Sequence, residues 1–185
     1  MNDEQKKLYL TVNPYALRNL RFAIIGYACN DLKIGYFPKL HATFYISEAN
    51  NARQKVDLDR CTCGEENVPC IHMYRIALET GELFKLIKNQ QVQDIIDGMP
   101  DKVYRVFEET IHGGYYEKPD ILWNHDKKSF KELVLLGLLQ GDPKNYQYTR
   151  LFLDNVHAFI YYTYTNPRDT YRHGQSFFRP GWGQR

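Results

Sequence analysis

Apolar positions along the chain follow two different spacings, and the elements they predict change in kind along its length. Leu8, Leu10 and Val12 alternate with Tyr9 and Thr11, which predicts a short first strand over 8–12. Asn13-Pro14 is a helix start, because Asn caps and Pro suits the first turn. Leu17, Leu20, Ile24, Ile25 and Ala28 then recur at helical spacing, and Cys29 closes the stripe as a core residue. Strands are predicted over 33–37 and 40–47, on either side of Pro38-Lys39. In the second, Leu40, Ala42, Phe44 and Ile46 alternate with His41, Thr43, Tyr45 and Ser47. Residues 48–53 read as a turn and 54–58 as a third strand. A helix over 71–80 stops at Gly81, with a further turn or two over 83–87.

Beyond the break at Gly98-Met99-Pro100 the pattern is helical. Asp101 caps a helix running to about Ile111, stopped at Gly113-Gly114, and 115–126 is loop-like. Ser129 and Glu132 form a capping box ahead of 133–139. Gly141-Asp142-Pro143 ends that helix. One long helix fits 145–164, with Tyr148, Leu151, Phe152, Val156, Phe159 and Ile160 on one face, ended by Asn166-Pro167. The fold class is therefore α+β: a small N-terminal antiparallel sheet with helices, then a mostly helical C-terminal half. The expected organisation is a mixed region at 1–90, a helical region at 91–165 and a polar, aromatic tail at 166–185.

Composition adds constraints. Of 185 residues 43% are hydrophobic and 25% charged, which suits a folded globular chain. Fifteen tyrosines and ten phenylalanines make it rich in aromatics. This bias, with abundant Asn, Lys and Ile and little Ala, fits an AT-rich genome, that of a low-GC bacterium, its phages or another mobile element. No apolar run reaches the length of a membrane span. Met1-Asn2-Asp3-Glu4-Gln5-Lys6-Lys7 has no apolar core of a signal peptide, so the expected compartment is cytoplasmic and reducing. The net charge is only +2, which excludes a generally basic nucleic-acid coat. Its distribution is uneven: +3 over 1–60, −4 over 61–112 and +3 over 166–185.

The sharpest chemical signal lies at Cys61-Thr62-Cys63 and Cys70-Ile71-His72, separated by six residues. Three thiolates and an imidazole are a common tetrahedral zinc set. C-x-C places two sulfurs on a short turn after a strand, with Gly64 allowing a tight return. Cys70 and His72 fall at a helix start, where free N–H groups help to stabilise thiolates. Soft donors favour zinc, with iron the weaker choice. Cys61 and Cys63 lack the C-x-x-C spacing of redox dithiols.

This pattern resembles the SWIM zinc finger, whose signature is C-x-C, a variable gap, then C-x-H. The resemblance covers about residues 38–86; its gap of six is short for the family. It implies a strand–strand–helix unit around one structural zinc held by Cys61, Cys63, Cys70 and His72. It also implies a module that binds DNA or proteins.

Glu65 and Glu66 lie in the knuckle and would repel phosphate. Contacts to nucleic acid or a partner are expected instead from Lys33, Lys39, Arg53, Lys55 and Arg60 near the strands. The tail adds Arg168, Arg172, Arg179 and Trp182, since arginine interleaved with aromatics suits single strands or a protein hot spot. Asp57 and Asp59 share a predicted strand face; such a pair can hold a metal, but beside a zinc knuckle it is expected to solvate the surface, and His157, inside the last helix, is expected to pack rather than to ligate. No phosphate-binding, nucleophile-elbow or dinucleotide motif occurs. The functional expectation is a small non-enzymatic zinc-binding adaptor or inhibitor with a protein or DNA partner, no organic cofactor and no membrane contact. The alternative is an enzyme with an unrecognised site in the helical half, its zinc purely structural.

Overall fold

The computed structural model describes residues 1–29, 33–37, 43–47, 53–112 and 127–165; for 27–29, 33–37, 43–47, 109 and 112 it describes the backbone alone. The chain is α+β and divides into two compact units, 1–88 with 164–185, and 89–163.

The first unit opens with a helix, α1 (Asp3–Tyr9), where the alternation at 8–12 predicted a strand. Asn2 and Gln5 form a reciprocal capping box, with the Gln5 N–H donating to Asn2 Oδ1 and the Asn2 N–H to Gln5 Oε1, both at 2.8 Å. That cap nucleates a helix whose one buried residue is Tyr9, while Leu10 and Val12 stay 40% and 48% exposed. The next helix, α2 (Pro14–Cys29), starts as its Asn13-Pro14 signal predicts, with Ala16 N–H donating to Asn13 Oδ1 at 2.8 Å. Its stripe of Ala16, Leu17, Leu20, Ala23 and Ile24 is buried. The Cys29 side chain lies outside the described residues.

Strands β1 (Lys33–Phe37), β2 (Thr43–Ser47) and β3 (Arg53–Val56) form an antiparallel sheet in that order. Its register sets Lys33 opposite Ser47 and Ser47 opposite Arg53, with Gly35, Tyr45 and Lys55 two positions along. β3 ends at Val56, so Asp57 and Asp59 lie in a turn rather than on a strand face. Asp57 Oδ1 accepts the N–H groups of Asp59 and Arg60 at 2.8 and 2.9 Å, which satisfies this turn and ends the strand.

Two helices complete the unit, α3 (Ile71–Glu79) and α4 (Glu82–Ile87), joined through Gly81 at φ +70°. α3 packs against α2, α4 and β3 and is buried continuously from His72 to Leu78. Within that run Arg75 Nη2 donates to Glu79 Oε1 at 3.0 Å. Tyr9 and Tyr74 latch α1 to α3: Tyr9 Oη donates to Met73 O and Tyr74 Oη to Tyr9 O, with the rings edge-on at 5.4 Å. Burial pushes both phenols far above the ordinary tyrosine value near 10. Their contribution to stability is whole below about pH 10 and is lost as pH rises above it, because the unfolded phenols ionise first. We therefore expect the Tyr9→Phe/Tyr74→Phe chain, followed by circular dichroism, to be less stable near neutrality, for want of the two hydrogen bonds, but to lose stability less steeply above about pH 10.

The second unit starts with α5 (Gln90–Gly98), capped by Asn89, whose Oδ1 accepts the Val92 N–H at 3.2 Å. α6 (Asp101–His112) follows; its first turn contains Asp101, and the preceding Pro100 supplies the first accepting carbonyl, so Asp101 is not the cap. α7 (Lys127–Leu135) begins before the predicted capping box, which leaves Ser129 buried inside the helix. The loop predicted at 115–126 lies outside the described residues.

Where a helical end at 139 and one long helix over 145–164 were predicted, the chain forms a hairpin and two short helices. Strands β4 (Leu139–Asp142) and β5 (Asn145–Tyr148) pair antiparallel. Asp142 Oδ1 accepts the N–H groups of Lys144 and Asn145 at 2.9 and 3.1 Å, and Gly141 adopts φ +99°. A Cβ at Gly141 would sit 2.5 Å from Asn145 O. A Gly141→Ala chain should lose about 2 kcal/mol or more in urea denaturation, from backbone strain plus that clash.

Thr149 caps α8 (Arg150–Asp154), and Asn155 separates it from α9 (Val156–Thr165). Asn155 is held from both sides, accepting from Asn89 Nδ2 at 2.7 Å and donating to Leu151 O at 3.0 Å. The apolar face read from the sequence is nonetheless real. Phe152, Val156, Phe159 and Ile160 are buried, and Phe107 meets Phe152 and Phe159 at ring separations of 6.0 and 5.7 Å. Tyr148 stacks on Phe152 at 4.5 Å. His157 is buried in this core, as expected for a packed histidine.

Candidate metal centre

The centre is built by three pieces of local structure. After the Asp57 turn, residues 60–62 fold back on β3. Val56 and Cys61 form an antiparallel bridge, Thr62 N–H donates to Lys55 O at 3.0 Å, and Lys55 N–H donates to Thr62 Oγ1 at 2.9 Å. This fixes Cys61 opposite the buried Val56 and sends Thr62 outward. Gly64 then reverses the chain at φ +73°, a conformation that favours glycine.

Residues 65–69 return towards α3. Glu65 Oε1 accepts the Asn67 N–H and Nδ2, each at 3.1 Å. From α2, Asn19 Nδ2 donates to Asn67 O at 3.2 Å and Pro69 O at 3.1 Å, which ties the return to the helix. Cys70 is then the N-cap residue of α3, and His72 lies in the first turn.

These elements bring four donors together. The ligating atoms of Cys61, Cys63, Cys70 and His72 all lie within 4.8 Å of one another. Cys70 and His72 are buried on the core side, while Cys61 and Cys63 are half-buried on the outer side. His72 turns Nδ1 towards the sulfurs, 3.6 Å from Cys61 Sγ and 4.0 Å from Cys70 Sγ. A tetrahedral ion at zinc-like bond lengths sets neighbouring sulfur and nitrogen donors about 3.6 Å apart. The four residues could therefore hold one metal ion.

Their electrostatics point the same way. The hydrogen bond with Cys70, together with burial, pushes the Cys61 thiol up, and burial pushes Cys63 up. The same hydrogen bond from Cys61, reinforced by His72, draws Cys70 down to about 4. One thiolate is thus supported by its neighbours, whereas three side by side repel one another. A divalent cation removes that repulsion and makes the triple thiolate favourable.

The residues assigned to a nucleic acid or partner contact are spread over the chain. Arg53 and Lys55 are both exposed on β3, and Lys33 shares the register row of Arg53. Arg60 is exposed beside the knuckle, with Nε 3.6 Å from Asp57 Oδ2. Lys39, Arg168, Arg172, Arg179 and Trp182 lie outside the described residues. Asn19 is a contact to the knuckle that the motif alone does not reveal, because its two bonds there span 48 and 50 residues of sequence. No described helix is long and apolar enough to cross a membrane. No protein-family model, no curated protein and no solved structure matches this chain.

Proposed function

We propose that the chain is a non-enzymatic binding module built on a SWIM-type finger, with one structural zinc held by Cys61, Cys63, Cys70 and His72. The observation that carries this reading is the convergence of three sulfurs and one imidazole nitrogen within 4.8 Å. The order of elements supports it as well: antiparallel strands, a C-x-C turn, then C-x-H at a helix start. All four donors come from the chain, which is the pattern of a structural zinc site. The ion would cross-link the turn after β3 to the start of α3. Metal binding then contributes directly to folding.

The contact residues in this reading are Lys33, Arg53, Lys55 and Arg60, with Lys39 and the tail residues Arg168, Arg172, Arg179 and Trp182. The small net charge favours a protein partner or a weak DNA contact over tight, indiscriminate grip. Fluorescence anisotropy of labelled DNA across a salt series tests the DNA arm. A shift that weakens with salt, and whose slope falls in the Arg53→Gln/Lys55→Gln chain, supports it. No shift at low salt, together with a co-purifying protein that survives nuclease, assigns the surface to a protein. Absence of both contradicts the binding reading.

A further inference from the structure

The four donors of the metal centre are not equally sheltered. Cys70 is 1% exposed and His72 is buried beside it, whereas Cys61 and Cys63 are half-buried on the outer side. Cys61 therefore offers a route from solvent to a buried sulfur. It is hydrogen-bonded to Cys70, and that bond outweighs the one either makes with Cys63. His72 Nδ1 lies against the same two sulfurs, 3.6 Å from Cys61 Sγ and 4.0 Å from Cys70 Sγ. The two cysteines come from different elements, Cys61 from the bridge to β3 and Cys70 from the N-cap of α3.

We propose that Cys61 and Cys70 form a reversible disulfide on exposure to hydrogen peroxide, which releases the ion while keeping the turn after β3 tied to α3. The inference rests on the reading of the four residues as a zinc centre. The Cys61 sulfur attacks one oxygen of the peroxide, the O–O bond breaks and hydroxide leaves, giving a sulfenic acid. The Cys70 thiolate then attacks that sulfur and displaces a second hydroxide. The two sulfurs lose two electrons in all, and the two peroxide oxygens gain them. With two of its four donors joined to each other, the chain no longer holds zinc.

Local structure selects this pair and this oxidant. A Cys61–Cys63 bond would close a small ring over Thr62 alone, whose N–H donates to Lys55 O and whose Oγ1 accepts from the Lys55 N–H. Such a ring departs from relaxed disulfide geometry and is the more easily reduced. A Cys61–Cys70 bond spans a loop that the fold has already closed, through Gly64 at positive φ and the Asn19 bonds to Asn67 and Pro69. Glu65 and Glu66 are exposed just beyond Cys63 and oppose an anionic oxidant such as glutathione disulfide, but not neutral peroxide.

Peroxide treatment of the zinc-loaded full chain provides the test. Zinc release is read with a chromogenic chelator, free thiols are counted, and the new bond is mapped by mass spectrometry. Cleavage at Arg60 and Glu66 separates Cys61 and Cys63 from Cys70, and fragmentation tells Cys61 from Cys63. Release of about one zinc per chain is expected, reversed by a thiol reductant with added zinc. Free thiols should fall from four to two, with Cys61 linked to Cys70, and the same link should form in a Cys29→Ser chain. The oxidised, zinc-free chain should keep helical signal that the reduced, chelator-treated chain loses. Zinc that stays bound, a link through Cys63 or Cys29, or sulfinic acid at Cys61 without a link overturns the proposal. A fall in helical signal as large as that of the chelated chain overturns it as well. A chain that holds no zinc before treatment fails the zinc reading, and the mapped link alone then decides this one.

Discussion

A Cys70→Ser chain is expected to bind zinc more weakly, by about a hundredfold or more, and to melt far below the parent. Cys70 is 1% exposed and is the N-cap residue of α3, so in this reading it would join the metal to a helix buried continuously from His72 to Leu78. A serine hydroxyl is a poor donor for a soft site. Structural zinc binds small fingers with about 10–16 kcal/mol of apparent free energy at neutral pH. Losing one donor of four removes on the order of 3 kcal/mol, a hundredfold or more in affinity. In a unit of this size that is a fall of about 12–24 °C in melting temperature. His72→Ala should behave alike, because its Nδ1 faces both Cys61 and Cys70. Val68→Ala, in the same loop but with no donor atom, should keep its zinc. Calorimetry with zinc titration reads both quantities. A Cys70→Ser chain that melts like the parent would show that the centre is not a brace.

The second large effect belongs to the other unit. Phe107→Ala should destabilise it by about 3–5 kcal/mol while leaving the metal content unchanged. Phe107 is fully buried and packs edge-on against both Phe152 and Phe159, which stack on each other at 5.3 Å. Truncation leaves a cavity lined by rings that cannot close over it without leaving their own contacts. Phe107→Leu should recover part of the loss by filling the space. Urea unfolding followed by near-ultraviolet circular dichroism reports this aromatic core. A loss below about 1 kcal/mol would mean that the rings are not packed as described.

The donor set was legible in the sequence because metal chemistry selects rare residues at fixed spacings. Four residues between 61 and 72 sufficed to name it, and the flanking strand and helix followed from alternation and periodicity. The geometry adds what spacing could not, namely the imidazole nitrogen that faces the sulfurs and the Asn19 tie from α2. Elements were misread where local polar chemistry outweighed apolar pattern. At 8–12 the alternation is real, but Leu8 and Tyr9 are the end of the helix that the Asn2–Gln5 capping box starts, and 10–12 leave it without forming a strand. At 139–148 the break predicted at Gly141-Asp142-Pro143 between two helices is instead the turn of a hairpin. The deciding signals were Gly141 at positive φ and Asp142 bonding the turn, which make a hairpin. Thr149 and Asn155 then divide the remainder into two short helices whose buried face still follows the predicted stripe.

Metal content tests the central claim most directly. The full chain, expressed with zinc in the medium and purified without chelator, is analysed by inductively coupled plasma mass spectrometry, with circular dichroism on the same sample. The account predicts about one zinc per chain, lost in parallel with helical signal on treatment with a strong chelator. A chain that is fully folded and carries essentially no metal would contradict it.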